Sequence, residues 1–519
     1  MQRFLDCLLR NHPERRTAVA LIDENAGIHY TYEQLIDAVN GLSGSLRAGD
    51  KSLVFLVLRN SIDYVCVYLA SMAAGHAVMI ADEAISGAQL LEFLEKYRPE
   101  WCFAPRETQV ELSSTGLYEA VATSLRQGCL WHRHANPADA AIHRDLQLVL
   151  PTSGSTGNPK TVKLSELNLM SNTADIVTTL SITEHDRAIT SLPLYYVYGL
   201  SVLHSHLHAG GSMVLTSRAI TDPNFWRLVR EFRCTTFSGV PLSYKILRQL
   251  QFWKIDDSRV SRMTQAGGKL DPAEVEYFHE IMQARGGRFY VMYGQTEAAP
   301  RMTTLAHDDI PVKLGSVGKP LPSGRVSIRP TPQVAEGLGE ICYAGPNVMM
   351  GYAERRQDLA AGDEMRGILA TGDLGYLDSD GFLYVSGRLK RIAKVAGTRV
   401  NLDDVERVAR SYGQSAAVED AGKIVVYIAS SEPAERIKTG LLAAIRIFPS
   451  ILQVVQVAEL PLLGSGKIDY QKLAGGKQPG ISPDRPQTSC VGGQVVGSTG
   501  ENAEGRAGPA RKGTAQCTS

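Results

Sequence analysis

Residues 146–160 read LQLVLPTSGSTGNPK, an apolar run followed by a loop of small residues that ends in a lysine. The apolar run is typical of a buried strand. Glycines and hydroxylated residues in the loop expose backbone N–H groups and hydroxyls, and Lys160 adds a positive charge, which together favour binding of a polyphosphate. A Walker A loop requires glycine where Pro159 stands, so the pattern predicts a phosphate-binding loop of another kind. A flexible Ser/Gly loop is the alternative interpretation.

Segments on both sides of this loop alternate between strand-like and helical patterns. The stretch SLVFLVL (residues 52–58) has the composition of a buried strand, and Ser61 stands where it could cap the helix that follows. Other short aliphatic runs, each followed by turn or helix signals, are AITSLPL, SMVLTS, TTFSGV and RFYVMYG. Strands that alternate with helices predict an α/β architecture with largely parallel sheets.

The pattern changes toward the C-terminus. Residues 318–387 contain short strands separated by Gly and Pro turns, which is typical of antiparallel β structure. Past Lys390, alternating patterns predict a compact α+β domain of about a hundred residues. The last residues are rich in Gly, Ser, Pro and Gln, which predicts a disordered tail. We therefore predict an N-terminal domain over residues 1–388, a C-terminal domain over residues 389–474 and a tail over residues 475–519.

Composition excludes several classes of function. Lys plus Arg number 54, as do Asp plus Glu, so neither nucleic acid nor an anionic membrane is expected as the main partner. The eight cysteines are scattered, without the clustering of a disulfide framework or a zinc site. Gly75 and His76 interrupt the longest weakly charged stretch, residues 64–81, so no membrane span is expected. Asp6 interrupts the N-terminal apolar stretch, which makes a poor signal peptide, and we predict a cytoplasmic protein.

Further motifs follow the loop in a fixed order. They are Tyr293-Gly294-Gln295-Thr296-Glu297; Gly339-Glu340 with Gly345-Pro346 and Gly351-Tyr352; Thr371-Gly372-Asp373, which continues to Gly387-Arg388; Gly397, Arg399 and Glu406; and Gly464-Ser465-Gly466-Lys467. Together with the loop, these motifs resemble the signature of the adenylate-forming, AMP-binding enzyme superfamily. That superfamily includes acyl-CoA synthetases, firefly luciferases and the adenylation domains of peptide synthetases. The resemblance extends over residues 31–473, and six motifs in one order make it specific.

The resemblance implies both a fold and a reaction. The implied fold is α/β, with a large N-terminal domain of two α/β sheets plus a distorted β-barrel, and a smaller, mobile α+β C-terminal domain. The implied enzyme uses ATP and Mg²⁺ to activate a carboxylic acid as acyl-AMP, releasing pyrophosphate. It then transfers the acyl group to the thiol of CoA or of a carrier protein. Two alternatives are an amide-forming ligase that uses an amino acid as acceptor, and a catalytically silent AMP-binding homologue.

The resemblance also implies roles for individual residues around the nucleotide. Glu297 would hold Mg²⁺, a hard cation that prefers carboxylate oxygen, and Thr296 would donate its hydroxyl to the α-phosphate. Tyr293 would lie against adenine, Asp373 would accept hydrogen bonds from both ribose hydroxyls, and Arg388 would add a charge-assisted contact. The remaining nucleotide-binding residues that we predict are Thr152, Ser153, Gly154, Ser155, Thr156, Gly157, Lys160, Gly268 and Gly294.

Lys467 is the predicted catalytic cation, acting with Thr296 and Glu297. Adenylation gathers negative charge on the attacking carboxylate and on the α-phosphate, and a cation that contacts both stabilises this charge as it develops. Lys390 matches the position of the family's hinge, where backbone angles change as the C-terminal domain turns.

The acyl side of the site departs from the family pattern. Tyr196 stands where many acyl- and aryl-CoA synthetases carry histidine, and the stretch lacks the aspartate that anchors an α-amino group. An unpaired buried ammonium would be costly, so an α-amino acid is not the expected substrate. The predicted lining suits a mostly apolar carboxylic acid and consists of Tyr196, Val197, Ser238, Gly239, Val240 and Gly267.

Overall fold

The computed structural model describes residues 3–9, 12–46, 50–123, 125–134, 141–151, 161–251, 259–331, 334, 337–395, 398–445, 447–462 and 468–474. All of these residues lie within one compact unit that spans Met1–Pro479. The predicted phosphate-binding loop (residues 152–160), Lys467 and the predicted tail lie outside the described residues. The predicted division after Arg388 therefore stays a prediction.

The helices of the described residues are distributed along the whole chain. They are α1 (Arg3–Leu9), α2 (Tyr32–Ser45), α3 (Ile62–Ala73), α4 (Gly87–Tyr97), α5 (Gln109–Ser114), α6 (Glu166–Leu180), α7 (Val197–His208), α8 (Pro223–Glu231), α9 (Pro241–Gln249), α10 (Pro272–Ala284), α11 (Leu402–Ala409), α12 (Ala434–Ala444) and α13 (Tyr470–Ala474).

The strands are short and form five sheets. They are β1 (Val19–Asp23), β2 (Ile28–Thr31), β3 (Leu53–Leu58), β4 (Ala77–Asp82), β5 (Trp101–Pro105), β6 (Tyr118–Val121), β7 (Gly128–Arg133), β8 (Leu146–Pro151), β9 (Thr161–Ser165), β10 (Arg187–Ile189), β11 (Ser212–Leu215), β12 (Thr236–Gly239), β13 (Arg262–Gln265), β14 (Arg288–Tyr293), β15 (Thr303–Leu305), β16 (Lys319–Pro320), β17 (Arg325–Pro330), β18 (Gly339–Ala344), β19 (Gly351–Ala353), β20 (Ile368–Leu377), β21 (Leu383–Arg388), β22 (Ile392–Val395), β23 (Thr398–Asn401), β24 (Gln414–Asp420), β25 (Lys423–Ala429) and β26 (Leu452–Gln456).

Two large sheets form the N-terminal part. One has the strand order β16-β15-β14-β13-β12-β10-β11-β1-β2, and its central pairings, from β14 to β1, are parallel. The other has the order β19-β9-β8-β4-β3-β5-β7-β6, and only β8, β4, β3 and β5 are paired in parallel. The α/β prediction is confirmed, but the second sheet is mixed rather than largely parallel. Strands β7 and β9 each return antiparallel beside their neighbours, and a buried apolar run carries no signal of strand direction.

Smaller sheets follow. Strands β17, β18, β20 and β21 form a four-stranded antiparallel sheet in the region where the resemblance implies a distorted barrel. In residues 389–474, β22 and β23 form a hairpin, and β24, β25 and β26 form a three-stranded sheet. Helices α11 and α12 pack against this three-stranded sheet around buried residues such as Val405, Val426 and Ile437.

Local sequence signals explain several elements. Ser61 Oγ accepts a hydrogen bond from the backbone N–H of Tyr64, which confirms the predicted helix cap of α3. Nearly all residues of α3 are buried, so this apolar stretch is a core helix, and β4 follows it after Gly75 and His76. Within the described residues, no helix is both long enough and apolar enough to cross a membrane.

Candidate active site

Asp373 and Arg388 face each other because of strand register. Asp373 lies in β20 opposite Arg388 at the end of β21, and Arg388 Nε donates a hydrogen bond to Asp373 Oδ1 at 3.1 Å. The Asp373 side chain is only 8% exposed, whereas that of Arg388 is 64% exposed. The carboxylate is therefore part of the protein interior, and its cationic partner lies at the solvent edge.

The nine-stranded sheet contributes further donors to the same carboxylate. Tyr293, the last residue of β14, donates its hydroxyl to Asp373 Oδ2 at 2.6 Å. Gln295 Nε2 donates to the same oxygen at 3.2 Å and to the backbone oxygen of Thr371 at 3.2 Å. The structure thus brings together three residues predicted to bind the nucleotide, Tyr293, Asp373 and Arg388. Gln295 joins them although the sequence analysis assigned it no role.

Three protein donors leave limited capacity on this carboxylate. A carboxylate offers about four acceptor positions, and Tyr293, Gln295 and Arg388 occupy three of them. The two ribose hydroxyls that Asp373 is predicted to bind would require one of these donors to withdraw, and the exposed Arg388 is the least constrained. Burial raises the pKa of the Asp373 carboxyl, and Arg388 and the hydrogen bonds from Tyr293 and Gln295 oppose that rise.

The affinity for AMP should fall as the pH is lowered through the raised pKa of Asp373, because only the carboxylate accepts both hydroxyl donors. Since burial raises that pKa, the fall should occur at a higher pH than an ordinary aspartate would give. Calorimetric titration with AMP across the acidic range measures this dependence. Asp373→Asn should bind weakly at every pH, and Arg388→Gln should move the fall to higher pH. A pH dependence that survives in Asp373→Asn would contradict the assignment.

The irregular part of β20 before Asp373 is held by β18, its neighbour in the same sheet. Gly372 has φ +71°, a left-handed conformation that favours glycine, and its N–H donates to Glu340 Oε1 at 3.1 Å. Thr371 Oγ1 donates to the backbone oxygen of Ile341 at 2.8 Å and accepts from the N–H of Asp373. The Gly339-Glu340 motif therefore positions the Thr371-Gly372-Asp373 motif.

Glu297 lies in a short 3₁₀ helix, Thr296–Ala298, that begins directly after Gln295. Tyr352 donates its hydroxyl to Glu297 Oε1 at 2.9 Å. Within the described residues, no group of three or more His, Cys, Asp or Glu could hold a metal ion by itself. A single carboxylate fits Mg²⁺, which proteins commonly hold through one or two carboxylates plus substrate phosphates.

Gly294 has a packing role that the sequence analysis did not foresee. A Cβ at this position would stand 1.8 Å from the backbone oxygen of Pro300. Glycine therefore allows residues 299–301 to close directly against the end of β14. The same close approach brings Arg301 into the interior.

The predicted acyl pocket is partly assembled around Tyr196. Gly267 has φ +81°, and a Cβ there would stand 2.8 Å from the Tyr196 hydroxyl and 3.1 Å from Val240 Cγ1. A Cβ at Gly268 would instead meet Pro241, at 3.1 Å. Tyr196, Val240 and Gly267 are thus neighbours, and any side chain at position 267 would enter the space beside the tyrosine hydroxyl.

The other predicted lining residues have structural partners. Ser238 Oγ and the Tyr198 hydroxyl both bond to Thr264 Oγ1, at 2.9 Å and 2.8 Å. Val197 begins α7, and a Cβ at Gly239 would face Ser243 and Tyr244. Tyr198, absent from the predicted lining, thus connects to Ser238 through one threonine.

The predicted hinge lies between two strands whose ends are tied to one helix. Lys390 is in the 3₁₀ helix Leu389–Arg391, between β21 and β22. The N–H of Arg388 donates to Asp403 Oδ2 at 2.9 Å, and Arg391 Nε donates to Asp403 Oδ1 at 2.5 Å. A turn about Lys390 therefore has to break or carry along the contacts with Asp403 in α11.

Comparison with known proteins identifies the family. A family model described as AMP-binding enzyme matches residues 9–353, about two-thirds of the chain. The chain belongs to the AMP-binding enzyme family.

Curated relatives of this AMP-binding enzyme are CoA ligases, and the chain is accordingly a ligase of that family. It is 26% identical over 429 residues to oxalate–CoA ligase of Arabidopsis thaliana. The aligned region covers 78% of this chain and 82% of that ligase. It is 29% identical over 421 residues to 2-succinylbenzoate–CoA ligase of Bacillus subtilis. This aligned region covers 79% of this chain and 82% of that ligase.

Solved structures agree with this AMP-binding enzyme in fold. The o-succinylbenzoate CoA synthetase of Bacillus subtilis, in complex with its acyl-adenylate intermediate, has a TM-score of 0.71 at 24% identity, covering 93% of this chain and 99% of that one. ATP-bound MatB from Rhodopseudomonas palustris has a TM-score of 0.74 at 22% identity, covering 91% and 98%. The likeness extends over the C-terminal part as well as the N-terminal sheets.

Proposed function

We propose that this AMP-binding enzyme is an ATP-dependent acid:CoA ligase. In the first step an oxygen of the acid's carboxylate attacks the α-phosphorus of ATP, forming acyl-AMP and releasing pyrophosphate. In the second step the thiol of CoA attacks the acyl carbon, AMP leaves, and the thiol proton is lost to solvent. The observation that carries the proposal is the convergence of Tyr293, Gln295 and Arg388 on the buried Asp373 carboxylate. The CoA ligase relatives support CoA as the acceptor.

We call Tyr293, Gln295, Asp373 and Arg388 the nucleotide cluster, and three of these residues have a distinct task in this proposal. Asp373 accepts the ribose hydroxyls, and Tyr293, held by its hydroxyl at 2.6 Å from Asp373, presents its ring to the adenine. Arg388 withdraws from Asp373 and pairs with the ribose or phosphate end of the nucleotide. The loop of residues 152–160 would bind the outer phosphates through backbone N–H groups and Lys160.

Charge neutralisation at the α-phosphate is the chemical core of the first step. Lys467 contacts both the attacking carboxylate and the α-phosphate, and Thr296 donates its hydroxyl to the same phosphate. Glu297 would hold Mg²⁺, which when bound neutralises charge on the triphosphate oxygens. Orientation by these groups requires no nucleophilic enzyme residue.

The second step uses a different position of the C-terminal domain, which we take as residues 389–474. A turn about Lys390 removes Lys467 from the nucleotide and opens the acyl-adenylate to the thiol. The contacts of Arg388 and Arg391 with Asp403 would then move with the domain or be exchanged. This movement separates the two half-reactions in time.

Acid-dependent exchange of labelled pyrophosphate into ATP tests the first step. We expect exchange with a subset of a carboxylic acid panel, and CoA-dependent release of AMP together with a thioester for the same acids. Omission of the acid is the control. Exchange with no acid would overturn the ligase assignment, and turnover with an amine but not with CoA would overturn the acceptor.

A further inference from the structure

Arg301 has an unusually fixed backbone position between β14 and β15. Its backbone oxygen accepts hydrogen bonds from Asn172 Nδ2 and from Asn347 Nδ2, both at 2.9 Å. Asn172 is on α6 and Asn347 precedes β19, so two distant segments fix this carbonyl. Both amides are buried. The Arg301 side chain therefore extends from a backbone position that these hydrogen bonds hold in the interior of the N-terminal part.

The Arg301 side chain is buried and has no counter-charge among the residues that the structure describes. The residue is 3% exposed, and neither Nε nor Nη1 has a hydrogen-bond partner among the described residues. Arg356, the other arginine buried to a similar degree among those residues, forms two hydrogen bonds to the Glu100 carboxylate. Burial lowers the pKa of Arg301, and the groups that oppose this are two phenols, Tyr198 and Tyr196.

A buried guanidinium without an anion is an unstable arrangement in the protein alone. Arginine stays charged at any physiological pH, and a charge removed from water requires a partner of opposite sign. Among the described residues the chain offers Arg301 the ring of Tyr198, at 4.9 Å from the guanidinium carbon. An aromatic face attracts the cation but accepts no conventional hydrogen bond, and Nε and Nη1 of Arg301 have no acceptor among the described residues. The arrangement is satisfied when a ligand supplies the anion.

The guanidinium lies beside the predicted acyl pocket. The Tyr198 ring that it covers is in edge contact with the Tyr196 ring, with centroids 6.3 Å apart. The Tyr196 hydroxyl in turn lies against Gly267. Burial raises the pKa of the Tyr196 hydroxyl to about 12, and the positive charge of Arg301 opposes this rise. The Arg301 guanidinium is therefore connected to the predicted acyl pocket through the Tyr198 and Tyr196 rings.

We propose that Arg301 binds a second carboxylate of the substrate, so that the acid activated by this enzyme is a dicarboxylic acid. One carboxylate attacks the α-phosphorus while the other accepts hydrogen bonds from the unpartnered donors of Arg301. The inference rests on the proposed acid:CoA ligase function. It differs from the mostly apolar acid that the lining residues alone predict, because Arg301 was not among them.

The test compares acids that differ only in the second carboxylate, such as succinate with butyrate and glutarate with pentanoate. With the wild-type enzyme, kcat/KM for pyrophosphate exchange should be at least ~100-fold higher for the diacid of each pair. Arg301→Leu should lose at least ~100-fold with the diacids and keep its activity with the monoacids. Arg301→Lys should retain part of the preference, since the charge remains.

A matched control removes another arginine that lies over a tyrosine ring. The Arg248 guanidinium carbon is 4.4 Å from the Tyr277 ring centroid, and Arg248 pairs with Glu274 on the outer helices. Arg248→Leu should leave the diacid preference unchanged. Equal loss with diacids and monoacids in Arg301→Leu would show that Arg301 serves groups common to all acids, and would overturn the inference. So would a wild-type preference for monoacids.

A binding measurement separates this inference from the proposed reaction. Succinate or glutarate should raise the thermal unfolding temperature of the wild-type protein more than butyrate or pentanoate does, and this difference should vanish in Arg301→Leu. If exchange fails with every acid while this difference persists, the ligase assignment is wrong and the carboxylate site stands. If exchange proceeds but no difference in binding depends on Arg301, only the carboxylate site is wrong.

Discussion

Lys467→Ala should slow pyrophosphate exchange by about 10²–10³-fold, because it removes a cation from the charge that develops between carboxylate and α-phosphate. Thioester formation from a supplied acyl-adenylate should stay close to the wild-type rate, because that step contains no attack on phosphorus. Both steps are measured separately, as exchange of labelled pyrophosphate and as CoA-dependent release of AMP from the purified adenylate. The affinity for AMP should change little.

Lys472→Ala is the matched control for Lys467→Ala. Lys472 lies shortly after Lys467 in helix α13, its side chain is 68% exposed, and its Nζ lies 3.7 Å from Asp469 Oδ2. Leu462 and Ile468, the described residues on either side of the segment with Lys467, pair as an antiparallel bridge. Removing Lys472 should therefore leave both half-reactions unchanged. Equal loss of adenylation and transfer in Lys467→Ala would contradict the proposed division of labour.

The elements that were predicted correctly depend on local signals. Ser61 caps α3 through its own side chain. The apolar runs of β3, β4, β8 and β14 form buried strands, whichever strands they pair with. The α/β class, the Ser61 cap and the change to antiparallel structure after residue 318 follow from such patterns. Strand direction does not, because parallel and antiparallel neighbours bury the same apolar residues.

The nucleotide cluster could be predicted as a set of residues but not as a geometry. Asp373 faces Arg388 because β20 and β21 pair in one register, and Tyr293 arrives from another sheet. Motif resemblance identified these three, whereas Gln295 stands at a variable position of its motif and gave no signal. Its contact with Asp373 forms because the fold places the residues after β14 beside Thr371 and Asp373 in β20.

The burial of Arg301 could not be predicted from the sequence. It follows Glu297 by four residues in a short polar-to-apolar segment, where an arginine is usually solvated. Its burial depends on Asn172, 129 residues earlier, and on Asn347, 46 residues later. No local sequence pattern indicates that these two amides donate to the backbone oxygen of Arg301. The absence of a carboxylate partner among the described residues is likewise a property of the packed chain.

Arg356→Leu should lower the free energy of unfolding by about 3–5 kcal/mol, because it leaves the Glu100 carboxylate buried without its counter-charge. Arg356 Nη2 donates to Glu100 Oε1 at 2.5 Å and Nη1 donates to Oε2 at 3.0 Å, and both side chains are under 10% exposed. Glu100 precedes β5, so the pair ties the 3₁₀ helix Arg356–Ala360 to the eight-stranded sheet. Urea denaturation followed by tryptophan fluorescence measures the loss, since Trp101 and Trp131 lie in this sheet.

Arg301→Leu is the matched comparison, and for this variant we expect no decrease in the free energy of unfolding. No carboxylate among the described residues loses a partner when Arg301 is removed, and an unpaired buried charge disappears, so the unfolding free energy should stay the same or rise. The double variant Glu100→Leu, Arg356→Leu should recover much of the stability that Arg356→Leu loses, since neither charge then remains unpaired. If Arg301→Leu were as destabilising as Arg356→Leu, the protein itself would supply a partner for Arg301, and a substrate carboxylate would no longer be needed to explain its burial.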